Sequence, residues 1–146
     1  MTLRELLAGA TLESPVPESV ANADVRGLEY DSRKVEPGYL FFAFPGARVD
    51  GREFAAQAVA QGAIAVISEL PQPEGLSSPP SSFTWIQVAH GRHALALAAR
   101  AFYGNLDRKI ALTGITGTNG KTTTSFLIDS ILRAAGKTTA LVGTIE

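Results

Sequence analysis

The chain has 146 residues, the length of one domain or slightly more. Hydrophobic residues make up 45% and charged residues 18%, a globular mixture that excludes wholesale disorder. Thirteen basic against fourteen acidic residues give a net charge of -1, and there is no cysteine; general nucleic-acid or membrane-surface binding, disulfide frameworks and zinc-thiolate sites are therefore set aside.

Thr2 and Glu5 stand at capping-box spacing and predict a short helix at the N-terminus. That end lacks the long apolar run of a signal peptide, and no stretch approaches the roughly 20 apolar residues that span a bilayer, so a soluble cytoplasmic protein is expected. Val25 to Asp31 and Tyr39 to Phe44 read as strands. The second is apolar on both faces, the pattern of a central strand covered on both sides. Asp50-Gly51 opens a helix to about Gln61 with Phe54, Ala55, Ala58 and Val59 on one stripe, and Gly62 ends it. Ala63 to Ser68 and Phe83 to Val88 are two more strands. Between them Pro71 to Ser82 holds four prolines and four serines and reads as an exposed loop. Gly91 to Tyr103 is helical, with Ala94, Ala98, Ala101 and Phe102 facing inward, and Gly104-Asn105 stops it. Lys109 to Ile115 is a new strand, followed by a glycine-rich turn. A helix then runs from about Lys121 to Ala135 with a buried stripe of Leu127, Ile128, Ile131, Leu132 and Ala135. Thr138 to Gly143 follows as a strand.

This alternation predicts an α/β fold with helices over a largely parallel sheet. A boundary near Asn105 to Arg108 divides the chain into residues 1–105 and 106–146. The second part holds only about one βαβ element, too little to cover its own sheet. The sequence is therefore expected to be the front of a longer protein, the 146 residues alone being inactive.

Gly117-Thr118-Asn119-Gly120-Lys121-Thr122-Thr123 lies between a predicted strand and a predicted helix, the setting of a phosphate-binding loop. Glycines let the backbone turn its N–H groups toward phosphate oxygens, and the helix N-terminus adds a favourable dipole. Lys121 is the candidate cation for the β- and γ-phosphates and the one catalytic candidate. The Thr122 hydroxyl is the candidate Mg²⁺ ligand. Ile115 stands where the longer P-loop pattern has its first glycine. The shorter form arises by chance in on the order of one in two hundred chains of this length; its position between strand and helix is what gives it weight.

The segment 114–124, GITGTNGKTTT, resembles the ATP-binding loop of the Mur ligases, which build the peptidoglycan stem peptide. Upstream, Asp31-Ser32-Arg33, then Pro37-Gly38-x-Leu40-Phe41, then Gly46-x-x-x-Asp50-Gly51 and a helix ending in Gly62-Ala63 are similar to the UDP-sugar-binding domain of the same enzymes. Phe102-Tyr103-Gly104 and the Gly143-Thr144-Ile145 after the loop look more like the MurE type than the MurF type, which shares the other blocks. Folylpolyglutamate synthetases carry glycine after the lysine, unlike Thr122 here. The competing class is a non-catalytic module that holds a nucleotide.

The resemblance implies a small UDP-N-acetylmuramoyl-substrate-binding α/β domain at 1–105 and the start of a P-loop ATPase-like parallel-sheet domain at 106–146. It implies an ATP- and Mg²⁺-dependent ligase that adds an amino acid to UDP-N-acetylmuramoyl-L-alanyl-D-glutamate through an acyl phosphate, with no nucleic-acid or membrane partner. By position, Gly117 to Thr123 match the ATP loop, Ser32 matches the serine contacting uridine, and Tyr30 flanks it. Ala47, Arg48 and Val49 fall where the family contacts the nucleotide, in place of the His-Gln-Ala of some members. Asp31 with Arg33 also fits a simple surface ion pair, and Asp50-Gly51 a helix cap. His90 and His93 have no further histidine with which to build a metal site.

Overall fold

A computed structural model describes residues 1–46, 49–76 and 83–143. They fall into two compact units, Met1–Lys109 and Ile110–Glu146.

In the first unit, helix α1 (Leu3–Leu7) starts on the predicted capping box: Thr2 Oγ1 accepts from the Glu5 N–H, and Glu5 Oε2 accepts from the Thr2 N–H at 2.8 Å. A one-turn helix α2 (Glu18–Ala21) follows, which no sequence signal announced. Strands β1 (Gly27–Glu29), β2 (Tyr39–Ala43), β3 (Ala65–Ser68) and β4 (Thr84–Gln87) form one sheet in the order β1-β2-β3-β4, all neighbours parallel. Beyond β4, Leu12 bridges Val88 antiparallel, with Glu13 N–H donating to the Gln87 carbonyl and Ala89 N–H to the Thr11 carbonyl, both at 2.9 Å.

The register sets Phe42, Ile67 and Ile86 side by side on one face and Phe41, Val66 and Trp85 on the other. The first row packs with Leu3, Leu6 and Leu7 of α1 and with Ala94 and Ala98 of α4 (Gly91–Phe102). The second packs with Ala55, Ala58 and Val59 of α3 (Ala55–Ala60). β2 is thus covered on both faces, as its unbroken apolar run requires.

The helix expected from Asp50 opens as a 3₁₀ turn, Gly51–Phe54, before α3. Phe54, expected on the buried stripe, is exposed; the tighter turn rotates it off the α3 face. Pro71 to Leu76 run as coil and turn, and the rest of the Pro/Ser segment, 77–82, lies outside the described residues. Asn105 adopts φ +56° and leads into a 3₁₀ turn, Leu106–Arg108. Arg100 on α4 pairs with Asp107 at 3.0 Å, which keeps that turn with the first unit.

In the second unit, α5 (Lys121–Ala134) forms as predicted. The strands expected at 109–115 and 138–143 do not form. An extended segment becomes a strand only with a hydrogen-bonding neighbour, and among the described residues neither segment has one. The expected buried stripe on α5 is also corrected: no α5 residue is buried, and Leu127 and Ile131 are about 60% exposed at 61% and 60%. Among the described residues of this unit nothing lies over that face. The return after α5 is held by Thr139, whose hydroxyl donates to Asp129 and accepts from Arg133 Nε; Arg133 also pairs with Asp129 at 2.8 Å.

Candidate functional site

Because the four strands run parallel, their carboxyl ends share one edge of the sheet, where ligands of open α/β sheets bind. The described residues following β1, β2, β3 and β4 there are Tyr30 to Arg33, Phe44 to Gly46 with Val49 to Arg52, Glu69, and His90 to Arg92. Two Asp-x-Arg turns are built alike. Asp31 caps the 3₁₀ turn Ser32–Lys34, accepting from the Arg33 N–H at 3.1 Å and from its guanidinium at 2.8 and 2.7 Å. Asp50 caps Gly51–Phe54, accepting from the Arg52 N–H at 2.9 Å and from its Nε at 2.8 Å. Arg52 also reaches the Pro71 carbonyl at 3.0 Å. Gly51 is required by crowding: a β-carbon there would lie 2.7 Å from the Phe44 carbonyl oxygen and 2.8 Å from its nitrogen.

The Arg33 side chain, then its backbone N–H, hold the Asp31 carboxyl down at about 2, against an unfolded value near 3.9. A depressed carboxyl contributes stability above the unfolded pKa and loses it as pH falls through the folded pKa. The difference in melting temperature between the wild type and Asp31→Asn should therefore be full at about pH 5, shrink as pH falls through about 2 and vanish only below it. A difference constant across that window would show that the pair contributes nothing through charge.

Ser32 is 5% exposed and donates its hydroxyl proton to Gln57 Oε1 at 2.8 Å. Toward any ligand its Oγ is left only as an acceptor. Tyr30 and Val49 are exposed, at 65% and 48%. Ala47 and Arg48 lie outside the described residues. Alongside stand side chains that sequence reasoning missed: the Tyr30 and Phe44 rings lie 6.4 Å apart, and the Arg92 guanidinium sits 5.1 Å over the Phe44 ring. Glu69 accepts from the Gly91 N–H at 2.8 Å and fixes the start of α4 beside Phe44. Phe44 is expected at the end of a strand and Arg92 falls within the helix expected from Gly91. Their common position after parallel strands was the available signal.

The glycine-rich turn is described within its own unit. Gly117 and Gly120 have φ +151° and +77°. A β-carbon on Gly120 would meet nothing within 4 Å, so backbone conformation, and not crowding, calls for glycine. Gly120 is the N-cap of α5, and no side chain caps the helix; its first N–H groups have no intrahelical partner and carry the positive end of the dipole. Lys121 folds back over the turn, its Nζ donating to the Gly117 carbonyl at 2.7 Å and the Thr118 carbonyl at 3.2 Å. Thr118, Asn119, Thr122 and Thr123 are exposed around it. Uncapped N–H groups, an ammonium and a hard hydroxyl oxygen fit a nucleotide phosphate with Mg²⁺.

A parallel sheet open at its carboxyl edge and a lysine-covered turn at a helix N-terminus are features of nucleotide-binding α/β proteins. Residues 24–103 match the Mur ligase family, catalytic domain, and residues 115–146 match the Mur ligase middle domain. The chain belongs to the Mur ligase family. It is 60% identical over 146 residues to a UDP-N-acetylmuramoyl-L-alanyl-D-glutamate--2,6-diaminopimelate ligase of Solibacter usitatus, covering 100% of this chain and 28% of that relative. A solved structure of a ligase with the same name is 26% identical with a TM-score of 0.66, covering 94% of this chain and 26% of that one. A MurF ligase of Thermotoga maritima in complex with ADP is 31% identical with a TM-score of 0.53, covering 75% and 24%. The chain thus spans about a quarter of the length of these proteins.

Proposed function

We propose that this chain forms the front part of a MurE-type ligase of cytoplasmic peptidoglycan precursor synthesis. The full-length protein joins an amino acid to UDP-N-acetylmuramoyl-L-alanyl-D-glutamate. Residues 1–105 hold the UDP end of that substrate, and 106–146 begin the ATP-binding domain. The single observation that carries the proposal is the 60% identity over the whole chain with a ligase of that name; the turn at Gly117 to Thr123, shaped for phosphate, supports it.

ATP with Mg²⁺ supplies the phosphoryl group that gives the substrate carboxylate a leaving group, so that the amine displaces phosphate and an amide remains. The residues of this chain position and neutralise. The N–H groups of Thr118 to Thr123 would hold the phosphates, Lys121 would exchange its two carbonyl partners for phosphate oxygens, and Thr122 would offer its hydroxyl to the metal. At the other site Tyr30, Val49 and the Ser32 acceptor meet the uridine.

Titrating UDP into the 146-residue chain should move amide signals at Tyr30 to Arg33 and Gly46 to Gly51. Shifts confined to 117–123 would mean that the uridine site is misplaced. The MurF type is the second reading, favoured by the likeness to the Thermotoga maritima MurF ligase. It would replace the first if the full-length protein released phosphate with a UDP-N-acetylmuramoyl-tripeptide and not with the dipeptide.

A further inference from the structure

The carboxyl edge of the first unit's sheet carries three described arginines whose charges are differently placed. Arg33 and Arg52 are each neutralised by the aspartate two residues before them, at 2.7 Å in both cases. Arg92 has no carboxylate within ion-pair distance among the described residues. Its nearest acidic neighbour along the edge, Glu69, is turned to the Gly91 N–H at 2.8 Å. Arg92 is exposed, yet held in place, its guanidinium 5.1 Å over the face of Phe44. A guanidinium steadied through its π-face keeps its N–H fork unspent, and that fork matches two phosphate oxygens.

Tyr30, Phe44 and Arg92 are successive neighbours on the edge, with 6.4 Å between the rings and 5.1 Å from the second ring to the guanidinium. An exposed aromatic ring and a guanidinium with no carboxylate partner among the described residues, both beside one half-buried ring, suit the base and the diphosphate of a nucleoside diphosphate. We infer that Arg92 binds the diphosphate of the nucleotide-linked substrate whose base lies at Tyr30. The assignment rests on the proposed uridine site.

Binding of UDP and of uridine to the 146-residue chain, followed by amide shifts, separates the two ideas. Arg92→Ala should weaken UDP about tenfold and uridine less than about twofold. Arg92→Lys, which keeps the charge without the fork, should recover part of the UDP affinity. Arg92→Met keeps an apolar stem over Phe44 without the charge and should behave like alanine, which guards against a loss that comes only from misfolding. The wild-type preference for UDP over uridine should shrink as salt is raised, and the alanine variant should show no such trend. Equal weakening of both ligands, or none, overturns the role of Arg92 while leaving the uridine site in place. UDP shifts confined to 117–123 overturn the uridine site itself.

Discussion

Replacing Lys121 by alanine is expected to slow ligation by the full-length protein at least a hundredfold while moving its melting temperature by no more than about 2 °C. The two expectations have separate physical grounds. Lys121 is exposed, and its Nζ touches only the carbonyls of Gly117 and Thr118. Truncation therefore leaves no buried group unpaired. In the proposed reaction the same ammonium would neutralise charge on the transferring phosphate, where a placed donor stabilises the transition state by about 3 kcal/mol or more; a hundredfold loss corresponds to about 2.7 kcal/mol. Lys121→Arg keeps the charge but changes its shape and should fall between the two. Phosphate release in the presence of UDP-N-acetylmuramoyl-dipeptide and amino acid is the measurement. Activity within about tenfold of the wild type would remove Lys121 from the phosphate site.

The largest effect on stability is expected at Phe42. It is 1% exposed and lies in the row with Ile67 and Ile86, under α1 and α4. Truncating a buried phenylalanine costs about 3–5 kcal/mol, a large part of the 5–15 kcal/mol that holds a typical domain together. For a unit of this size each kcal/mol shifts the melting temperature by about 4 °C or more, so Phe42→Ala should lower it by more than 10 °C or abolish the folded first unit. Phe54→Ala is the matched control. That ring is 43% exposed, and its loss should shift the melting temperature by only a few degrees. Similar shifts for the two variants in a circular dichroism melt would show that the face holding Phe42 is not packed.

What the sequence disclosed follows the range of the forces involved. The apolar run from Tyr39 forms β2 to Ala43 because its composition suits burial on both faces. The capping box at Thr2 and the helices opening at Gly91 and Lys121 depend on neighbours a few residues away, and all are present. The glycine-rich turn belongs to this group, because its conformation is set by φ angles at Gly117 and Gly120. Features that depend on distant partners were hidden. The exposure of α5 and the unpaired segments beside it reflect what lies next to them in space, which periodicity cannot report. The Ser32–Gln57 hydrogen bond spans 25 positions, and the approach of Arg92 to Phe44 spans a crossover and two strands. At Ser32 the consequence is chemical: the hydroxyl matched to a uridine contact has already committed its proton to Gln57.

The strand pairing at Thr11 to Glu13 and the seat of α1 against α4 also constrain how the first unit comes into being. Leu3, Leu6 and Leu7 find their cover on Ala94 and Ala98, and the partner of Leu12 is Val88. The earliest residues to leave the ribosome thus complete their contacts with nearly the last residues of the unit. At about 5–20 residues per second, the interval between them is roughly 4–17 s. Until then the α4 side of the three leucines and the outer flank of β4 stay open, and loop closure over that separation precedes the contacts that reward it. The packing of α1 is therefore complete only once α4 has emerged, although the sheet order would let the strands pair one by one before that.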